Sequence, residues 1–333
     1  MRIDCSAPTR VDLAGGTLDI WPIYLFHQPA VTINAAISLR AHCRVESRVD
    51  SRVVLVSEDT GERVEASCAA DLDVDRLALV ARLIRHFGTD GITLTTRSDS
   101  PVGAGLGGSS AMAVAIIAAL AAWTKVWTGA DADRWLTLAM NIEAQVLGVP
   151  TGVQDYRPAF HGGLAAIEMD PTGVRRTALV SDPAELERRL VLAYTGATRN
   201  SGINNWDMMK RHIDGDPQVA AAFAEIAAIA GRMRDALERQ DWPAAGRHLA
   251  DEWTNRKRLA PGVTTSAIDD LIAQAIEAGA AAGKVCGAGG GGCVFCLVEP
   301  GRRDAVIDAL AHGGARVLPF TIEREGVRIV RSS

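Results

Sequence analysis

The sequence predicts an α+β fold in two domains, and three observations carry that prediction. Residues 31–65 alternate apolar and polar side chains in several short runs, the pattern of strands joined by turns. Met112 to Trp127 is an Ala/Ile/Leu run without Pro or Gly, which reads as a buried helix. In the second half, Ala-rich amphipathic helices precede a strand, glycine-loop, strand unit at residues 284–298. The break at Ser181-Asp182-Pro183 divides the chain into segments 1–182 and 183–333. At 333 residues there is room for two medium domains with ample core.

In order, Arg10 to Leu13 reads as a short strand that runs into the Gly15-Gly16 turn and then presents Asp19. After the strands of 31–65, Leu77 to Phe87 is a short amphipathic helix with Arg76, Arg82 and Arg85 outward. A β-rich run from Gly91 leads into Pro101–Ala111, and the long apolar helix follows. Asp131 to Leu147 is a second helix, containing Glu143 and stopped by Gly148-Val-Pro150. His161 to Ile167 and Leu190 to Tyr194 read as strands. Val219–Gln240 and Trp242–Leu259 form a helical hairpin around Asp241-Trp242-Pro243, with Lys257 and Arg258 as solvated charges near its end. Ile268 to Ala282 is a helix with Gly283 as its cap, and Lys284 reads equally well as a solvated strand-edge charge. A helix at Arg303–Ala311 and strands at Ala315–Phe320 and Val327–Val330 complete the second domain.

The organising stretch is Pro101-Val-Gly-Ala-Gly-Leu-Gly-Gly-Ser-Ser-Ala111. Gly103, Gly105, Gly107 and Gly108 remove the Cβ atoms that would keep a ligand from the backbone, and two serines open the helix. Exposed amides at a helix start, aided by the helix dipole, bind phosphate oxygens. Gly103-x-Gly105-x-x-Gly108 matches a dinucleotide fingerprint in form, but that reading needs a second strand ending in an acid about 20 residues on. Here the helix is still running at that distance. A P-loop is excluded because no Lys-Ser/Thr follows the glycines. Gly287-x-Gly289-x-x-Gly292 imitates the same fingerprint and fails because a strand follows it.

Composition bounds the function. Hydrophobic residues make up 48% and charged residues 23%, ordinary for a globular protein. A net charge of -5, with no basic run, offers no general attraction to nucleic acid or an anionic membrane. The N-terminus carries Asp4 and Asp12 and reads as no signal peptide, and Ala111–Trp123 is too short for a membrane span, so a cytoplasmic location is the expectation. Cys293-Val-Phe-Cys296 lies in a strand-like run, where positions three apart face opposite sides and cannot grip one metal. The cysteines read as buried reduced thiols.

The stretch Pro101–Ala111 resembles the phosphate loop of the GHMP kinases, and two further stretches match the family's other motifs in order. Ala7-Pro-Thr-Arg10 with Asp19 nine residues on resembles the first, and Gly287–Gly292 the third. Thr195-Gly-Ala-Thr-Arg199-Asn-Ser-Gly202 resembles the kinases of D-glycero-D-manno-heptose 7-phosphate, to which the chain as a whole is most similar. The resemblance implies an N-terminal domain like ribosomal protein S5 and a ferredoxin-like C-terminal domain. It implies an ATP-dependent kinase that phosphorylates a hydroxyl of a small sugar or sugar phosphate. ATP would lie on Gly103, Ala104, Gly105, Leu106, Gly107, Gly108, Ser109 and Ser110. Mg²⁺ would be held by Glu143 and one serine, with Ser109 and Ser110 both open; one carboxylate, a hydroxyl and phosphate oxygens suffice for that ion.

By the same resemblance Asp155 faces the acceptor hydroxyl, and Arg10 supplies fixed positive charge to the transferred group. Asp19, Gly16, Thr17, Gln154, Arg199 and Gly289 lie at the acceptor. A carboxylate such as Asp19 accepts directional hydrogen bonds from a polyol, and a guanidinium such as Arg199 binds phosphate bidentately. Gly16-Thr17 stands where galactokinases have Glu-His, which argues against galactose. Val153 and Tyr156 replace the Lys and Gln of heptose kinases, removing a cation beside the acceptor. The alternatives are another sugar, cyclitol or mevalonate-type kinase, or a catalytically silent nucleotide or sugar sensor. Oligomeric state is not readable, a homodimer being one arrangement the sequence allows.

Overall fold

The computed structural model describes residues 1–180, 182–197 and 201–332, with only the helical backbone described for 201–204. The strands are β1 (Arg2–Ala14), β2 (Ala30–Ser47), β3 (Val53–Ser57), β4 (Arg63–Ala66), β5 (Ile92–Ser98), β6 (Leu164–Asp170), β7 (Gly173–Ala178), β8 (Leu190–Tyr194), β9 (Ala280–Val285), β10 (Cys293–Val298), β11 (Arg316–Val317) and β12 (Arg328–Ser332). One sheet has the order β12-β1-β2-β5-β3-β4, with β6 on the far part of β2 and β7 on β6. A smaller sheet has the order β11-β8-β10-β9. Two sheets, each packed with helices, are the α+β arrangement that the sequence predicts.

The long apolar helix, Gly108–Trp123, packs on β1 and β2. Its polar face is missing because it has no solvent side, as expected of a helix that is hydrophobic all round. The helix Ala132–Leu147 lies against it and carries Glu143 inward. From the second half, Pro217–Glu238 packs on β1 and β2, while its hairpin partner, Trp242–Arg256, packs on β9. The first strand is therefore covered by helices of both halves, and the site lies along it.

Several expectations are corrected. The last strand does not join the second sheet: β12 pairs with β1 of the first, Arg2 opposite Ser332. The helix expected to reach Ala282 ends at Glu277, and Gly279, at φ 115°, turns the chain into β9, so Gly283 is a strand residue and no cap. A helix, Tyr156–His161, stands between Asp155 and β6 where only a strand was expected. The first strand is also longer than expected, running from Arg2 to Ala14, with a register shift at Pro8/Thr9. Such a bulge bends and twists the strand locally. Just beyond it, Arg10 and Asp12 share the face that points into the protein. Cys293 and Cys296 pack into different hydrophobic clusters, as their spacing in a strand requires.

Candidate active site

The Pro101–Ala111 loop turns through Gly103, Gly105 and Gly107, at φ 71°, 79° and 71°, a region that costs other residues strain. Protein donors bind its carbonyls. Ala104 O accepts from the Cys293 amide at 2.7 Å, Gly105 O from Arg10 Nη1 at 2.7 Å and Leu106 O from the Arg10 amide at 2.9 Å. A Cβ on Gly292 would lie 2.6 Å from Ala104 O, so the third glycine stretch packs directly on the loop. No side chain caps the helix that starts at Gly108. The first-turn amides and the positive end of the helix dipole thus meet no side-chain cap among the described residues.

A cavity of about 510 Å³ opens over this loop. Gly103, Ala104, Gly105, Leu106, Gly107, Gly108, Ser109 and Ser110 all line it. Its far wall is made by Ser57, Leu77, Leu79, Thr96, Met112 and Val146. Sequence reading missed that wall, because its residues come from five separate elements and carry no common pattern. A second cavity is lined by Arg10, Thr17, Asp19, Gln154, Gly287, Ala288 and an apolar rim that includes Leu147 and Val149. The two cavities share three residues: Ser110, Glu143 and Asp155.

Asp155 sits at that junction. Its Oδ1 accepts from Arg10 Nε at 2.8 Å and from Nη2 at 2.5 Å, and a Cβ on Gly107 would lie 3.3 Å from its side chain. Arg10 is 2% exposed. Burial opposes its charge, but the nearby Asp155 and Asp12 carboxylates outweigh that and hold its proton more firmly than usual. Glu143 is buried, and its Oε2 accepts from Ser110 Oγ at 2.7 Å and from the Tyr156 hydroxyl at 2.5 Å. Burial raises its pKa, opposed by hydrogen bonds from Tyr156, Ser109 and Ser110. Tyr156 thus belongs to the Glu143 group.

Asp19 is 1% exposed; its Oδ2 accepts from the Gln154 backbone amide at 2.9 Å, and its Oδ1 has no partner among the described residues. Gln154 Oε1 is likewise buried without a partner. Burial, helped by the Asp155 charge, pushes the Asp19 carboxyl up to about 6. Thr17 holds φ 77°, rare for a β-branched residue. Gly16 and Gly289 are not among the cavity-lining residues. Gly16 gives its carbonyl to Arg256, and Gly289 packs on Val263, while Gly287 and Ala288 take the lining positions. Arg199 lies outside the described residues.

Behind these residues is a buried charge cluster that the sequence did not reveal. Lys284, expected as a solvated strand-edge charge or a family residue, is 0% exposed. Its Nζ donates to Asp12 Oδ2 at 3.0 Å and Glu252 Oε1 at 2.9 Å. Arg256 donates to the carbonyls of Gly16 and Gly287, each at 2.6 Å. Burial works against the Asp12 carboxylate, but Lys284, Arg10 and Arg256 bring its pKa down to about 2. Burial leaves Glu252 raised despite Lys284 and Arg256.

Comparison with known proteins agrees with this geometry. Residues 76–163 match the family described as GHMP kinases N terminal domain, and residues 233–316 match GHMP kinases C terminal. The chain is 31% identical to a D-glycero-alpha-D-manno-heptose 7-phosphate kinase of Campylobacter jejuni, over 98% of each chain. It is 26% identical to a mevalonate kinase of Thermococcus sibiricus over 99% of this chain and 98% of that one. Among solved structures, a D-glycero-D-manno-heptose 1-phosphate kinase from Bacteriodes thetaiotaomicron superposes with a TM-score of 0.79 at 28% identity, over 99% of both chains.

Proposed function

Because the chain belongs to the GHMP kinases, we propose that it transfers the γ-phosphoryl group of ATP to a hydroxyl of a sugar or sugar phosphate. The acceptor favoured is the anomeric hydroxyl of a heptose 7-phosphate-like substrate, since heptose phosphate kinases stand among its relatives. The observation that carries the reading is the junction of the two cavities at Ser110, Glu143 and Asp155. A donor lying on the glycine loop and an acceptor beside Asp19 would meet at one carboxylate.

In this reading Asp155 orients the acceptor hydroxyl and takes its proton late. Arg10, fixed by Asp155 and the Gly105 carbonyl, neutralises charge that develops on the transferred group. Phosphoryl transfer depends mainly on positioning and electrostatics, so Asp155 need not be a strong base. Asp19 Oδ1 and Gln154 Oε1, both buried without partners among the described residues, accept hydroxyls of the polyol. The Glu143 carboxylate and the hydroxyls of Ser109 and Ser110 are hard oxygen donors at the edge of the phosphate cradle, a set that fits Mg²⁺. These residues would hold the ion, which supplies neutralising charge to the phosphates when bound.

Mg-ATP labelled at the γ position, offered with heptose, fucose and mannose derivatives and their phosphates, tests the reading. Label should pass to at least one sugar, and transfer to none of them rejects it. The Asp19 pKa adds a second expectation. The ionised form accepts the acceptor's hydroxyls, so kcat/KM for the acceptor should fall on the acid side of about pH 6. Asp19→Asn should remove that limb and raise the acceptor KM. Stability has the opposite sign. The folded pKa of about 6 lies above the ordinary 3.8, so the fold binds the extra proton between those values. Asp19 therefore makes unfolding easier as pH rises through that window.

A further inference from the structure

We infer that Arg256 is the positioning residue that sets the shape of the acceptor pocket, holding the Gly16–Thr17 turn and the Gly287 loop at a fixed separation. The inference rests on the kinase reading of this site and adds to it a residue that lines neither cavity.

The geometry is that of a bridge. Arg256 closes the helix Trp242–Arg256 and is 1% exposed. One guanidinium nitrogen, Nη1, reaches the Gly16 carbonyl in the first half of the chain. The other, Nη2, reaches the Gly287 carbonyl in the second. Two separate nitrogens in a rigid planar fork hold two carbonyls at a spacing and orientation that one freely rotating ammonium nitrogen does not fix. The Gly287 peptide is also held through its amide. The Gly287 amide donates to Asp12 Oδ1 at 3.1 Å, and Asp12 is itself pinned by Lys284. At Gly16 a Cβ would lie 2.6 Å from Asp12 Oδ2 and 2.7 Å from Arg256 Nη1, so only glycine admits the guanidinium there.

What the bridge holds in place is the lining of the acceptor cavity. The next residue after Gly16 is Thr17, buried and lining that cavity at φ 77°. A β-branched residue stays in this region only when its surroundings over-determine it. The carbonyl of the preceding peptide, gripped by Arg256, is one such constraint. Two residues further, Asp19 presents its unpartnered Oδ1. On the opposite side, Gly287 and Ala288 line the same cavity. Loss of the bridge therefore moves acceptor contacts and leaves the nucleotide loop, which hangs on Arg10, Cys293 and Gly292, as it was.

The test is Arg256→Lys in the full chain, assayed with whichever sugar of the labelled-transfer panel the wild type phosphorylates. The variant keeps the buried positive charge but not the fork. The acceptor kcat/KM should drop about 10- to 100-fold, chiefly through KM, because small misplacements at a reacting centre have effects of that order. The KM for Mg-ATP and calorimetric binding of an ATP analogue should stay near wild type. If Arg256→Lys does not fold, Glu252→Gln/Arg256→Gln removes the bridge while balancing one lost cation with one lost carboxylate, and it should show the same split. Unchanged acceptor kinetics in a folded variant, or parallel losses for both substrates together with a lower Tm, overturn the inference and leave the kinase reading standing. A wild-type protein that phosphorylates no sugar overturns both.

Discussion

Asp155→Asn is expected to lower phosphoryl transfer by about 10²- to 10⁴-fold while nucleotide binding stays close to wild type. The reason lies in what each half of the site loses. The glycine loop is held by backbone bonds and by Arg10 Nη1 on the Gly105 carbonyl; Asp155 bonds to none of the loop's atoms directly, only to the same guanidinium. The acceptor side loses the charge that orients its hydroxyl and takes up its proton. Asn can still offer Arg10 a carbonyl oxygen in place of Oδ1. The fold should therefore survive with a stability loss of about 1–3 kcal/mol, the range for a weakened hydrogen bond to a charged group that is only partly buried. Stopped-flow or coupled ADP assays with calorimetric ATP binding check both parts. A variant with near-normal turnover would remove Asp155 from the chemistry. A catalytically silent sensor would be indifferent to the change.

The largest effect on stability is expected from Lys284→Met. Lys284 is fully buried and donates to both Asp12 and Glu252, so methionine fills the space but leaves two carboxyl groups without their shared cation. Breaking a buried pair from one side typically costs about 3–5 kcal/mol. In a chain of this size that corresponds to a fall in Tm of roughly 4–7 °C. Urea denaturation of the two proteins measures it directly. Adding Asp12→Asn and Glu252→Gln to Lys284→Met should recover part of the loss, because the cost lies in unpaired charge.

The places where the sequence spoke clearly share a physical character. The phosphate loop was legible because only a backbone-level demand explains four glycines and two serines before a long apolar helix. Arg10, Asp19, Glu143 and Asp155 were found through family motifs, and the fold places all four in the walls of the two adjacent cavities. What remained hidden is tertiary. Arg256 stands beside Lys257 and Arg258 at a helix end and looks like one of a solvated basic run; only the packing of that helix on β9 turns it inward. Lys284 sits in a strand whose neighbours do not reveal the facing Asp12 and Glu252, which lie 272 and 32 residues away in sequence. The partner of β12 is likewise set by a contact spanning the whole chain.

The most direct measurement is a crystal structure of the protein with a non-hydrolysable ATP analogue. The terminal phosphorus should rest on the Gly103–Ser110 bend, facing the Asp155 carboxylate, which lines both cavities. An analogue seated elsewhere, or one whose terminal phosphate points away from Asp155, would contradict the account.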